Sequence, residues 1–263
     1  MREFSYHRPK SVADAAKAFS SKSEARYLAG GHSLLPAMKQ RLNAPSDLID
    51  LSAIKDLKGI KIAGGEVVIG AGTTHAEVAH STEIKKAIPA LCVLAEGIGD
   101  PQVRNRGTIG GSLANNDPAS DYPAAVLGLG ATVVTNKREI AADSFFKGLF
   151  ETALEDGEII TAVRFPIPEK AGYAKFAQPA SRFCIVGVMA AKTKSGVRVA
   201  VTGAGPGVFR ATDIEKALAS SFSAGASLPA VKASGLSSDI HAGAEYRAHL
   251  VGVMAKRAVA AAG

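Results

Sequence analysis

The chain has no tryptophan, and only 6% of its residues are aromatic. No segment interleaves Lys or Arg with stacking rings. The net charge of +7 therefore lacks the pattern of a single-strand nucleic-acid binder. Cysteine is scarce as well. Cys92 and Cys184 sit among apolar neighbours and read as buried free thiols. Two thiols cannot supply the four that hold a typical iron–sulfur cluster. The histidines, at 7, 32, 75, 80, 241 and 249, show neither HExxH nor any other paired spacing, so no metal site is expected. No apolar run approaches the ~20 residues needed to cross a bilayer. The opening Met1-Arg2-Glu3-Phe4-Ser5-Tyr6 has no signal-peptide core, and a cytoplasmic protein without membrane insertion is the expectation. The usual nucleotide fingerprints are missing too. There is no GxxxxGK followed by Ser or Thr, hence no P-loop. Nor is there a GxGxxG: Gly70-Ala71-Gly72 comes nearest but lacks a third glycine. No catalytic triad or paired-carboxylate site stands out, and no catalytic residue is assigned.

What is present is enough apolar material, 47% of 263 residues, to build a packed core of one large or two smaller domains. Two short glycine signatures stand out: Ala29-Gly30-Gly31-His32-Ser33-Leu34-Leu35 and Thr108-Ile109-Gly110-Gly111-Ser112. Adjacent glycines remove side chains from a loop and let backbone N–H groups approach an anion closely. One such pair is an ordinary turn. Two, about 80 residues apart, suggest a clamp on one diphosphate.

The rest of the chain reads as mixed helix and strand. Ser11 and Asp14 open an amphipathic helix over 11–20 as a capping box. Residues 26–29 and 47–51 read as short strands, which makes the first ~55 residues a small β-α-β unit. A strand over 66–72 leads to a second capping box, Thr74 to Glu77. Residues 84–98 read as one longer helix interrupted near Pro89, and 123–129 as a buried helix. Strands are expected over 131–135 and 159–165, and Pro166, Pro168 and Gly172 mark a boundary near 166–172. Beyond it, 183–192 and 197–201 suit antiparallel strands, and 214–220 and 246–262 suit helices. The Ser-, Gly- and Ala-rich stretch 220–245 reads as partly flexible.

The two glycine signatures resemble the AGGxS and TIGG markers of the FAD-binding (medium) subunits of molybdenum hydroxylases, here at 29–33 and 108–111. That family includes the carbon monoxide dehydrogenase medium subunit and the xanthine dehydrogenase flavin domain. The resemblance runs through 102–114 and 117–124, and through 4–9, 69–75, 179–182, 201–206 and 246–250. It implies an α+β fold: a two-subdomain FAD-binding domain of the PCMH type over 1–170, with subdomains of about 1–56 and 57–170. A C-terminal domain over 171–263 would carry a small antiparallel sheet plus helices.

The same resemblance implies residue roles. Leu28, Ala29, Gly30, Gly31, His32, Ser33, Leu34 and Leu35 would wrap the FAD pyrophosphate, and Thr108, Ile109, Gly110, Gly111 and Ser112 would form its second wall. Asp121 would accept a ribose hydroxyl, with a helix cap as the alternative. Ile98 lies where a relative stacks an aromatic on the flavin ring, Ile160 matches an apolar residue near the ring, and Lys175 a lysine near a flavin carbonyl. Phe183 falls where many relatives carry Tyr. His32 and His75 read as structural, Arg104 and Arg106 merely flank the second loop, and Asn115 and Asn116 either bond FAD or turn the chain. By resemblance the partners are a molybdopterin-binding large subunit and a [2Fe-2S] small subunit, assembled as a dimer of heterotrimers. Electrons would reach FAD here from the clusters and leave to an external acceptor. The alternatives are a stand-alone flavin oxidoreductase of the same superfamily and a non-enzymatic nucleotide-binding module.

Overall fold

A computed structural model describes residues 1–263. The chain opens with β1 (Ser5–His7), α1 (Val12–Ser20), β2 (Ala25–Leu28), α2 (Leu34–Lys39) and β3 (Asp47–Asp50). The three strands pair in parallel in the order β1-β3-β2, with α1 and α2 as the crossovers that parallel strands require. Ser11 caps α1, accepting from the Asp14 N–H at 3.1 Å. Asp14 does not close a capping box; its carboxylate accepts from the Ser11 hydroxyl at 2.6 Å instead. Leu34 and Leu35, which end the first glycine signature, begin α2.

The middle of the chain forms a five-stranded antiparallel sheet. It runs β4 (Ile60–Ala63), β5 (Glu66–Gly70), then helices α3 (His75–His80), α4 (Thr82–Ala87), α5 (Pro89–Glu96), α6 (Pro101–Arg104), α7 (Ile109–Asn115) and α8 (Tyr122–Gly128). There follow β6 (Thr132–Thr135), β7 (Glu139–Ala141), α9 (Ala142–Phe145), the hairpin β8 (Phe146–Gly148) and β9 (Glu151–Thr152), and β10 (Ile160–Pro166). The strand order is β4-β5-β10-β6-β7. The helix expected over 84–98 is two helices. Pro89 has no N–H to continue α4 and suits the first position of α5, so the chain breaks at Ile88.

The last third is a second antiparallel sheet, β11 (Lys170–Ala177), β12 (Cys184–Thr193), β13 (Gly196–Thr202) and β14 (Phe209–Arg210), with α10 (Thr212–Ser220) and α11 (Ala244–Ala261). Val188 and Val199 pack with Val251 and Met254 of α11, whereas Met189 and Ala200 join the core of the middle sheet and its helices. Burial on both faces explains why β12 reads as a continuous apolar run. Gly172 lets α11 lie on β11: a Cβ there would stand 1.9 Å from the Ala258 carbonyl oxygen. Residues 221–243 form no helix or strand, yet Phe222, Leu228 and Leu236 pack against the core beneath α11. Cys92 and Cys184 are buried free thiols. No helix is long and apolar enough to cross a membrane.

The start of α3 fixes the second glycine loop. Thr74 and Glu77 form a complete capping box. The His75 N–H donates to the Gly107 carbonyl at 3.0 Å, and the Ile109 N–H to the Thr73 carbonyl at 3.1 Å, so 73–75 is stitched to 107–109. His75 Nε2 would stand 2.5 Å from a Cβ at Gly107, leaving room only for glycine. Burial, aided by the positive neighbours His32 and Arg104, brings the imidazole down from 6.5 to about 4. The unfolded chain therefore takes up this proton at higher pH than the folded one. Stability present above pH 6.5 is lost as pH falls toward 4, by about 3 kcal/mol. His75→Gln should flatten that part of the pH dependence when denaturant midpoints are compared at neutral and acid pH. Identical slopes in the two proteins would show that His75 is not held neutral.

Candidate functional site

The two glycine loops touch. The first leaves the end of β2 and enters α2; the second leaves α6 and enters α7. A Cβ on Gly30 would stand 2.3 Å from the Arg106 carbonyl oxygen and 2.7 Å from the Gly107 Cα, so only glycine lets one backbone rest on the other. Across the same gap, a Cβ on Gly111 would stand 3.7 Å from the Ala29 Cβ. Gly31 is left-handed, with φ +77°, which turns the chain back toward α2. The amides of Gly30, Gly31, His32 and Ser33 donate to no protein group; the ladder resumes only with Leu35 N–H to the Gly31 carbonyl. A row of unpaired backbone donors is the element of an anion-binding concavity.

The second loop is built differently. Its Ile109, Gly110 and Ser112 amides donate to the carbonyls of Thr73, Ala71 and Thr108. The Gly111 amide donates to Thr108 Oγ1 at 3.1 Å. Gly110 is bare for packing: a Cβ there would stand 2.6 Å from the Ala71 Cβ. The first loop thus offers N–H groups, while the second offers a flat backbone and hydroxyls, with Ser112 Oγ 2.6 Å from Ser120 Oγ.

Between them opens a cavity of about 860 Å³, within the range of ligand sites. Leu28 to Leu34 line it, together with Thr108, Gly110, Gly111, Ser112, Ile98, Asp121 and Ile160. Three residues expected at the site do not line this cavity. Leu35 packs beneath Gly31. Ile109 is fully buried in the core. Lys175 stands behind Asp121, its Nζ donating to the Gly97 carbonyl at 2.9 Å and to Asp121 Oδ2 at 3.0 Å. Asp121 makes no cap bond to α8. Its buried carboxylate instead accepts from the Tyr173 hydroxyl at 2.6 Å. Desolvation pushes its pKa up, opposed by the Lys175 ammonium and the Tyr173 bond. No local motif marks Tyr173. The available signal was strand alternation, which puts residues 173 and 175 on the same face of β11.

The flanking residues separate cleanly. The Arg104 guanidinium is buried and donates to the Ile98 and Gly99 carbonyls and to Glu96, so it braces the turn after α5. Arg106 lines the cavity. His32 is exposed and its Nδ1 lies 3.1 Å from the Gly30 carbonyl. Asn115 lines the cavity, whereas Asn116, left-handed at φ 44°, turns the chain.

Residues 2–168 match the family model described as FAD binding domain in molybdopterin dehydrogenase. The carbon monoxide dehydrogenase medium chain of Afipia carboxidovorans is 39% identical over 274 residues, covering 97% of this chain and 95% of that one. The nicotine 6-hydroxylase medium subunit of Paenarthrobacter nicotinovorans is 36% identical, with 98% and 96% covered. The structure of reconstituted CO dehydrogenase from Oligotropha carboxidovorans superposes with a TM-score of 0.88 at 35% identity, over 99% of this chain and 98% of that one. The chain belongs to the FAD-binding domain family of the molybdopterin dehydrogenases and is an FAD-binding medium subunit of the molybdenum hydroxylases, of the carbon monoxide dehydrogenase kind.

Proposed function

We propose that this subunit links iron–sulfur clusters of a partner to an external electron acceptor, through FAD seated where the two glycine loops meet. The observation that carries the reading is the row of unpaired amides from Gly30 to Ser33, facing a cavity whose other wall is the second loop. When bound, FAD supplies a centre able to take up single electrons and release pairs. The protein contributes binding, orientation and electrostatics. The Gly30–Ser33 amides donate to the pyrophosphate oxygens, and charge-assisted bonds of this kind are short and strong. Thr108 and Ser112 add hydroxyls opposite, and Leu28, Ala29 and Leu34 exclude water along the groove. Asp121 accepts a ribose hydroxyl; Lys175, behind it, pairs with its carboxylate at the buried wall. Ile98 and Ile160 give apolar contact to the ring system. Leu35 and Ile109 support the two loops from beneath. The cofactor domain spans residues 1–170, as subdomains of about 1–56 and 57–170, and 171–263 form the C-terminal domain.

The partners in this reading are a molybdopterin-binding large subunit, where substrate is oxidised, and a small subunit with two [2Fe-2S] clusters, as a dimer of heterotrimers. The assembly works in the cytoplasm. Substrate choice then rests with the large subunit.

Gly30→Ala places a methyl against the Arg106 carbonyl and parts the loops. It should weaken FAD binding at least ~tenfold, about 1.4 kcal/mol, with the far-ultraviolet circular dichroism of the wild type; full FAD occupancy in this variant would overturn the pyrophosphate assignment. Asp121→Ala leaves the Lys175 ammonium buried without its carboxylate and should cost about 3–5 kcal/mol of stability. Adding Lys175→Met should recover part of that loss, and strictly additive effects would show that the two groups are uncoupled. Affinity purification from the native host should bring down one larger and one smaller chain carrying molybdenum and iron, and reduction of FAD by substrate should need both. Substrate-dependent turnover by the isolated subunit would refute the partner assignment.

A further inference from the structure

The tip of the β8–β9 hairpin carries two large apolar residues, Leu149 and Phe150, each 58% exposed. Phe150 is also left-handed, with φ 55°, a conformation that disfavours a bulky side chain. The hairpin is firmly held. Asn116, itself buried, donates its side-chain amide to the Gly148 carbonyl at 2.9 Å and the Glu151 carbonyl at 2.8 Å, one on each side of the tip. The Ala153 N–H donates to the Phe145 carbonyl at 2.8 Å and closes its base. The structure therefore holds an aromatic ring in a strained backbone position, largely in solvent. Of the two tip residues, it is Phe150 that lines the cavity of the glycine loops.

Strain and exposure are both unfavourable. A planar ligand in the cavity would offset the exposure by stacking on the ring, and such contacts are favourable for any heteroaromatic face. We propose that Phe150 is an aromatic flap that stacks on one of the two ring systems of the bound dinucleotide, adenine or isoalloxazine. The proposal rests on the reading of the cavity as the FAD site. Thr108 caps the start of α7 and Asn116 its end, so one short helix joins the second glycine loop to the flap.

Phe150→Gly tests it, because glycine adopts the left-handed conformation without strain. The FAD-free variant should be at least as stable as the wild type, while its Kd for FAD, read from flavin fluorescence during titration, rises about tenfold. Phe150→Trp should bind FAD as well as the wild type. Parallel titrations with FMN and with ADP identify the ring: the fragment whose affinity falls in Phe150→Gly carries the stacked face. Unchanged affinity for FAD, FMN and ADP would overturn the flap while leaving the glycine-loop site intact. A marked loss of stability in FAD-free Phe150→Gly would overturn it too, by showing that the ring packs within the chain. Wild-type affinity for FAD in Gly30→Ala would instead remove the cavity reading on which the flap depends.

Discussion

The contact of one backbone on another, Gly30 against Arg106 and Gly107, sets the architecture of the site. Main-chain atoms approach this closely only where no Cβ intervenes. Because 107–109 is in turn stitched to 73–75, the first loop is referenced to the five-stranded sheet. The parallel sheet β1-β3-β2 and the antiparallel sheet beyond it thus meet at a line of bare backbone. A groove with free amides on one side is the geometric result.

The two walls divide the labour of a ligand site. One keeps its N–H groups unpaired, which is costly unless water or an anion takes them. The other satisfies its amides internally and is correspondingly stiff. An unpaired donor row facing a rigid floor lets oxygens be captured without the floor having to rearrange. The buried Asp121–Lys175–Tyr173 cluster extends that rigidity to the far wall, where a charged pair out of water persists because each polar atom has a partner.

Local features were readable in the sequence because their physics is local. The capping box Thr74–Glu77, the glycine loops and the alternation of β13 depend on residues a few positions apart. The break at Pro89 was visible as an interruption, though its consequence, two helices in place of one, follows from the missing N–H. What stayed hidden was set at long range. Lys175 and Asp121 are 54 residues apart, and nothing in either segment announces the other. Likewise TIGG reads as a second row of donors, and only the bonds of its amides to Ala71, Thr73 and Thr108 show that it is a floor.

Tyr173 and Lys175 belong to β11, beyond the 2–168 stretch that carries the family match, yet they hold the carboxylate at its heart. Gly128 of α8 likewise has room for the Met189 side chain and for no Cβ of its own. The cofactor-bearing part is therefore not a self-contained cassette. A truncation that severed it after residue 168 would leave an orphaned acid and a bare apolar helix.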